Sequence, residues 1–387
     1  MATIKPFVAL RPQEVYLDKM LTAKPSSCNG RSNGSIAHML DNGFHEKHGL
    51  TNAHILANLK KMLHTGDFYQ EERPCIFIYE ITQGKDIQTG VWAITDLADF
   101  DQGHIKIHES ILDCLASGLI NYRDEVGLEG GPLLLTYQPA REISQLLTQV
   151  KRAEADSVYY ANKVFHRLWT VYDLKTIRQL SLYFSELQHV YLADGHHRLA
   201  AAVQYRNMEP RTGNANYISS FYLSCDQLKI KEFHRVVIPA EEIYIGQLFR
   251  ILKKTFSVTR SQRNEVVVPV EAREFGLYIE GKWYRMVYKL ADKADLPDAC
   301  LLQEIVLGPL FKIVHPETDQ QLIPVGGSEA IHELEFILAE HPTAIAFTLA
   351  AMRVDQLMDI ARKGIILPPK STWVEPKIPF GLLLRKL

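Results

Sequence analysis

Residues 190–198, Val-Tyr-Leu-Ala-Asp-Gly-His-His-Arg, set an apolar run directly against Asp-Gly and then a helix-forming stretch. Residues 190–193 read as a short buried strand, and the alanines at 200–202 favour the helix that follows. The first N–H groups of a helix have no partner within it and sit at the positive end of its dipole, so such a start suits an anion. Gly195 has no side chain to obstruct a phosphate, Arg198 can hold phosphate oxygens bidentately, and His196 and His197 add donors. Asp194 can cap the helix, hold a metal ion, or accept a proton from a substrate hydroxyl.

Strand-like and helix-like stretches surround this segment on both sides. Residues 75–81 and 89–97 read as paired strands broken at Gln-Gly-Lys-Asp. Residues 104–108 alternate, with Ile105 and Ile107 on one face and His104, Lys106 and His108 on the other. A helix is expected over 109–118, a strand at 132–137, a helix at 140–153, a strand at 165–172 and a helix at 174–187. Strands follow at 217–224 and 230–238. Past Pro239 the pattern predicts helices at 241–254, 299–307, 328–340 and 353–363, a hairpin around Glu-Gly-Lys 280–282 and a strand at 344–349. Residues 24–50, rich in Ser, Asn and Gly, read as a loop. The fold class is α+β, with a boundary near Ala240 dividing 1–240 from 241–387.

Composition narrows the function. Of 387 residues 47% are hydrophobic and 23% charged, an ordinary globular balance, and a formal net charge of −2 argues against a protein that coats nucleic acid. Five cysteines without a CxxC pair read as reduced thiols and not as a disulfide or zinc framework. The first residues lack the apolar core of a signal peptide, and the longest uncharged stretch, 212–225, carries Asn and Ser. A cytoplasmic protein with no membrane span is therefore expected. The phosphate-loop, dinucleotide-loop, zinc-protease and nucleophile-elbow motifs are absent.

Three further stretches can carry chemistry. Lys106, His108 and Glu109 place a cation, an imidazole and a carboxylate at a strand end, or else form a solvated strand face. His234 and Arg235 interrupt an apolar strand. Residues 367–377 hold Lys370, Ser371, Thr372 and Lys377 between Pro-rich bends, as part of a site or as a plain C-terminal clamp. His104 and His108 with His196 and His197 offer imidazoles for a metal, but nothing in the sequence closes a coordination shell.

Several blocks occur in a telling order: Ile-Lys-Pro-Phe-x-Ala-Leu-Arg-Pro (4–12), Gln-Thr-Gly (88–90), His-Glu (108–109), Asp-Gly-His-His-Arg (194–198), His-Arg-Val-Val (234–237), the 301–310 segment, Val-Gly-Gly (325–327) and Pro-Pro-Lys-Ser-Thr-Trp-x-Glu-Pro-Lys (368–377). Together they resemble the microbial family catalogued as domain of unknown function 1015. The Asp-Gly-His-His-Arg block in turn resembles the Gly-x-x-Arg phosphate-binding turn of the ParB/sulfiredoxin superfamily. That turn grips ATP in sulfiredoxin, CTP in ParB, and ADP or ATP in the free-serine kinases, where a separate Glu is the base. The resemblance implies a ParB/sulfiredoxin-like core with an additional α+β C-terminal region.

It also implies a nucleotide-binding phosphotransferase acting on a small hydroxylated metabolite such as serine, with ATP or ADP as cofactor and Mg²⁺ expected beside it. Gly195, His196, His197 and Arg198 would hold phosphates, with His108, His234, Arg235, Ser371 and Thr372 around the ligand. Lys106 or Lys370 would neutralise charge, and Glu109 or Asp194, aided by His196, would handle the hydroxyl proton. The alternatives are a non-catalytic nucleotide sensor and a degenerate member with a structural role. Two blocks depart from the family pattern: 22–29 lacks its Pro-Pro-Tyr-Asp, and 110–116 replaces its Thr-Arg-Pro run.

Overall fold

The computed structural model describes residues 2–14, 17, 51–110, 113–161, 163–208, 213–262, 265–290, 296–316 and 318–387. The expected 24–50 loop lies outside these residues. The chain is a mixed α+β protein that divides into two units. Unit 1 comprises 1–107, 111–228 and 376–387, and unit 2 comprises 108–110 and 229–375. The division falls at Leu228, ahead of the expected Ala240, because Phe233–Val237 belongs to the sheet of unit 2.

Unit 1 is built on a mixed nine-stranded sheet. Its spatial order is Ile105–Lys106, Val190–Asp194, Leu133–Tyr137, Tyr217–Ser224, Asp86–Asp96, Ile76–Gln83, Val164–Val171 and Ser157–Ala161, with Ile4–Lys5 paired to Asp86–Asp96. Val190–Asp194 runs parallel to Ile105–Lys106 and antiparallel to Leu133–Tyr137. The central strands are buried along most of their length, as expected of near-continuous apolar runs. Helices cover them through apolar residues at helical spacing: Ile143, Leu146 and Leu147 from Arg141–Val150, and Ile177, Leu180 and Phe184 from Leu174–Ser185. Asp173 caps the second helix by accepting the Thr176 N–H. Tyr137, Phe184 and Tyr222 meet edge to face in the core, at 5.4 and 4.8 Å between centroids.

Gly90 is required where Asp86–Asp96 meets Tyr217–Ser224, since a Cβ there would lie 2.4 Å from the Phe221 ring and the Tyr222 carbonyl. A second, four-stranded sheet joins Ala9–Pro12, Phe68–Gln70, Leu128–Glu129 and the returning strand Leu384–Lys386. That strand is anchored by Arg385, which donates to Glu129 and to the carbonyls of Asn214 and Tyr217. Among the described residues, no helix is long and apolar enough to cross a membrane.

Unit 2 holds an antiparallel six-stranded sheet in the order Phe256–Arg260, Lys282–Tyr288, Glu274–Ile279, Ile345–Leu349, Phe233–Val237 and Leu322–Gly326. The expected hairpin closes through Glu280 and Gly281, both at positive φ (47° and 70°), as a two-residue turn demands. The strand expected over 230–238 is two strands. Lys229–Lys231 pairs with Trp373–Glu375, and Phe233–Val237 enters the main sheet. Residues 367–377 are therefore partly sheet, not an extended segment without pairing. Gly326 and Gly327 lie against the Trp373 ring, where a Cβ would come within 3.0 and 2.8 Å. The Val-Gly-Gly and Pro-Pro-Lys-Ser-Thr-Trp blocks are thus two halves of one packing contact.

The helix expected over 109–118 is described from Asp113 to Val126, and the one expected over 241–254 starts at Ile245. The helix expected over 299–307 winds as a single π turn over Gln303–Leu307 before Gly308–Phe311.

Candidate anion-binding site

In unit 1 the chain leaves the sheet at Asp194, turns through Gly195 and enters the helix His196–Asn207. Gly195 adopts φ +104°, in the left-handed region that suits glycine, and is itself the N-cap, with no side chain capping the helix. Asp194 is therefore not the cap. Its Oδ2 accepts from Arg198 Nη2 at 2.7 Å, and its Oδ1 accepts from Lys377 Nζ at 3.0 Å. Burial penalises the Asp194 charge, but Arg198 and Lys377 outweigh that and hold its carboxyl below the usual carboxylate range.

Arg198 is thus paired within unit 1, one turn from Asp194, and does not stand ready with its whole fork as expected. Its guanidinium lies across two glycines. A Cβ at Gly195 would meet Nε and Nη2 at 3.0 Å, and one at Gly131 would meet Nη1 at 2.6 Å. Phe380 packs on Gly130 and Gly131 from the returning tail. The side chains of Asp194, Arg198 and Lys377 remain 37, 32 and 48% exposed. His196 is buried and His197 half-buried. Lys106 sits on the adjoining strand beside Tyr191, with its ammonium near Gly103.

Unit 2 gathers a second set of the expected residues. The alternating strand ends at Lys106, and residues 108–110 run alongside Leu367, whose N–H donates to the His108 carbonyl at 2.8 Å. His108 and Glu109 are consequently buried, which excludes the solvated strand face. His108 Nε2 lies 3.3 Å from Thr372 Oγ1. Arg235 is 4% exposed and donates to the carbonyls of His234 and Pro369 at 3.2 and 3.3 Å. Burial lowers the Arg235 pKa to about 10, against the opposing attraction of Glu109.

His234 Nδ1 accepts the Leu349 N–H, so the neutral ring carries its proton on Nε2, and burial pulls its pKa down to about 4. Ser371 Oγ donates to the Pro368 carbonyl and closes its own turn, while Lys370 is exposed at φ +59°. A cavity of about 560 Å³ also lies in unit 2, against Arg273, Asp298, Met352, Arg353 and Lys363. Of the expected site residues, Ser371 lines it.

Sequence reasoning placed Lys377 in the right segment but left it out of the site, because 183 residues separate it from Asp194. Gly131 was missed as well; the Gly-Gly pair ahead of the strand Leu133–Tyr137 was the signal.

The family described as protein of unknown function (DUF1015) matches residues 4–306. Among solved structures, a conserved hypothetical protein from Pyrococcus furiosus is similar at TM-score 0.40 and 14% identity, over 79% of this chain and 97% of that one. A free serine kinase in complex with AMP is similar at TM-score 0.39 and 14% identity, over 75% and 92% of the two chains. SbnI with a C-terminal truncation, from Staphylococcus aureus, gives TM-score 0.42 at 8% identity, over 75% and 87%. No curated protein matches the chain. With most of its length matched, including the strand–Asp-Gly–helix segment described above, the chain belongs to the family described as protein of unknown function (DUF1015).

Proposed function

We propose that this protein binds a nucleotide through its phosphates at the Gly195 helix start and transfers a phosphoryl group to the hydroxyl of a small metabolite such as serine. One observation carries the reading. Beside a helix that begins on a glycine, a carboxylate and two cations pair with one another while each keeps about a third to a half of its side chain open to water. Partners that water can reach can be exchanged for ligand oxygens at small cost. The phosphates would draw Arg198 and Lys377 off Asp194 or bridge them. The likeness of Asp-Gly-His-His-Arg to the Gly-x-x-Arg turn supports the same assignment, and a ParB/sulfiredoxin-like core is part of the proposal. Mg²⁺ would arrive on the phosphate oxygens and shield charge.

In the transfer, the bond from the terminal phosphorus to the nucleotide's bridging oxygen breaks as a bond to the acceptor oxygen forms. The acceptor's proton goes to a carboxylate other than Asp194, whose paired cations make it a weak base. The test is calorimetric binding of AMP, ADP and ATP with and without Mg²⁺, alongside phosphoryl transfer to serine and related hydroxy compounds. Arg198→Ala should weaken nucleotide binding. Absence of binding to any nucleotide would sink the proposal. Tight binding without transfer to any acceptor would reduce it to a nucleotide sensor.

A further inference from the structure

A cation that a protein buries is ordinarily paired with a carboxylate, and Arg235 is not. It lies on Phe233–Val237, inside the six-stranded sheet of unit 2, and is 4% exposed. A guanidinium carries five N–H donors. Among the described residues two of those on Arg235 find acceptors, the carbonyls of His234 and Pro369, at the long distances of 3.2 and 3.3 Å. No carboxylate of the described residues stands at ion-pair distance from it. Glu109 attracts it from farther off, and burial outweighs that attraction.

The cavity of about 560 Å³ in unit 2 adjoins this cation, and every residue that lines it belongs to unit 2. Phe233, whose ring lies 5.4 Å from the guanidinium, is part of its wall. So is Ser371, two residues past the Pro369 carbonyl that Arg235 holds. Such a volume suits a small molecule. Leu349, Met352, Ile360 and Ile365 continue the apolar wall from Phe233. The charged residues of the wall balance, with Arg273, Arg353 and Lys363 against Glu271, Asp298 and Asp359. Arg353 is moreover held by both oxygens of Asp355, and Asp359 accepts from Arg362. The wall itself therefore selects no sign of charge, and the buried guanidinium decides it.

We propose that this cavity is a second small-molecule site, which takes an aliphatic carboxylic acid with its carboxylate on Arg235 and its chain along Phe233 and the other apolar residues. A carboxylate matches the guanidinium in charge and in its planar two-pronged geometry, and its bonds are shorter and stronger than those to neutral carbonyls. Nothing in the proposal calls on the nucleotide reading of unit 1, and its probes contain neither phosphate nor base.

Calorimetry on the full chain with acetate, butyrate and hexanoate tests it, with butanol and butylamine as controls of matched length. Affinity is expected to rise about fourfold per methylene as the chain covers the apolar wall, with both controls at least about tenfold weaker than butyrate. Ala351 lines the cavity at an exposed position, so Ala351→Trp should fill the space and abolish binding without moving the melting temperature. Arg235→Lys keeps the charge but loses the fork, and should weaken butyrate by about tenfold. Failure of all three carboxylates to bind overturns the proposal, as does butanol binding as tightly as butyrate. Undiminished binding in Ala351→Trp would place the acid elsewhere and overturns it equally. Undiminished binding in a folded Arg235→Lys would remove the anchor on which it stands. If the lysine variant does not fold, the alcohol control and Ala351→Trp still decide.

Discussion

Glu129 and Asp194, both in unit 1, are each a carboxylate gripped by two cations, yet water reaches only one of the two clusters. Glu129 lies 2.5 Å from Arg123 and 2.7 Å from Arg385, with side chains 4, 7 and 4% exposed, and also accepts the Ser219 N–H. Asp194, Arg198 and Lys377 repeat the pattern with a third to a half of each side chain exposed. A buried trio must keep its partners, because any of them left alone would be an uncompensated charge out of water. An exposed trio can trade them. The same charge arithmetic therefore makes a staple in one place and an exchangeable pairing in the other, and burial decides which.

The comparison can be broken most decisively at Glu129. Glu129→Gln leaves two buried guanidinium groups facing an amide, and a loss of about 3–5 kcal/mol is expected from breaking such a cluster, read by urea or thermal unfolding. A loss below 1 kcal/mol would mean that the cluster is no staple.

Acid provides a second, smaller test. The His234 pKa falls from an ordinary 6.5 to about 4 in the folded chain, so the unfolded chain takes up the proton first. Stability is thus full above pH 6.5 and falls as pH drops toward 4, by about 3 kcal/mol at 1.36 kcal/mol per pH unit. His166, also lowered to about 4 by burial, adds a loss in the same window. Glu129, held at about 2 by Arg123 and Arg385 against the opposing cost of its burial, contributes stability above its ordinary 4.5 that is lost between there and 2. Denaturant midpoints at pH 7, 5.5 and 4 for the parent and His234→Gln check the first window, where the variant should respond less.

The smallest effect is expected at the open trio. Asp194→Asn should change stability by less than about 1 kcal/mol, since exposed pairs are screened. Under the proposed function, the same change should alter nucleotide affinity, read by calorimetry. A large fall in melting temperature for Asp194→Asn would show that the two trios do the same job.

What the residues disclosed and what they hid follow one physical line. Strands such as Tyr217–Ser224 and helices such as Leu174–Ser185 were legible because their apolar periodicity or cap is local. The turn at Asp194–Gly195 was legible because a buried strand, a glycine and a helix-forming run adjoin in sequence. Partner choice was not. Lys377, Arg385 and Leu367 reach their partners from 183 to 258 residues away, and no spacing rule reports on that. The burial of His108 and Glu109 was hidden for the same reason, since an alternating stretch looks alike whether its polar face meets water or another segment. The Gln-Thr-Gly block, conspicuous in sequence, turns out to brace a turn: Gln88 donates to the Gln227 carbonyl and Thr89 donates its N–H to Gln227 Oε1.

The returning tail has a bearing on how the chain is made. Translation delivers residues 1–228 first, then the 147 residues of 229–375, and only afterwards Lys377, Phe380 and Arg385. Until those last residues leave the ribosome, Glu129 faces Arg123 alone, Asp194 has Arg198 alone, and the four-stranded sheet lacks Leu384–Lys386 between its other strands. Unit 2 waits for no later residue, since its three outlying residues, 108–110, are already made, so the later-synthesised unit is the one that can mature first, and the earlier one waits, incomplete, for its closing strand.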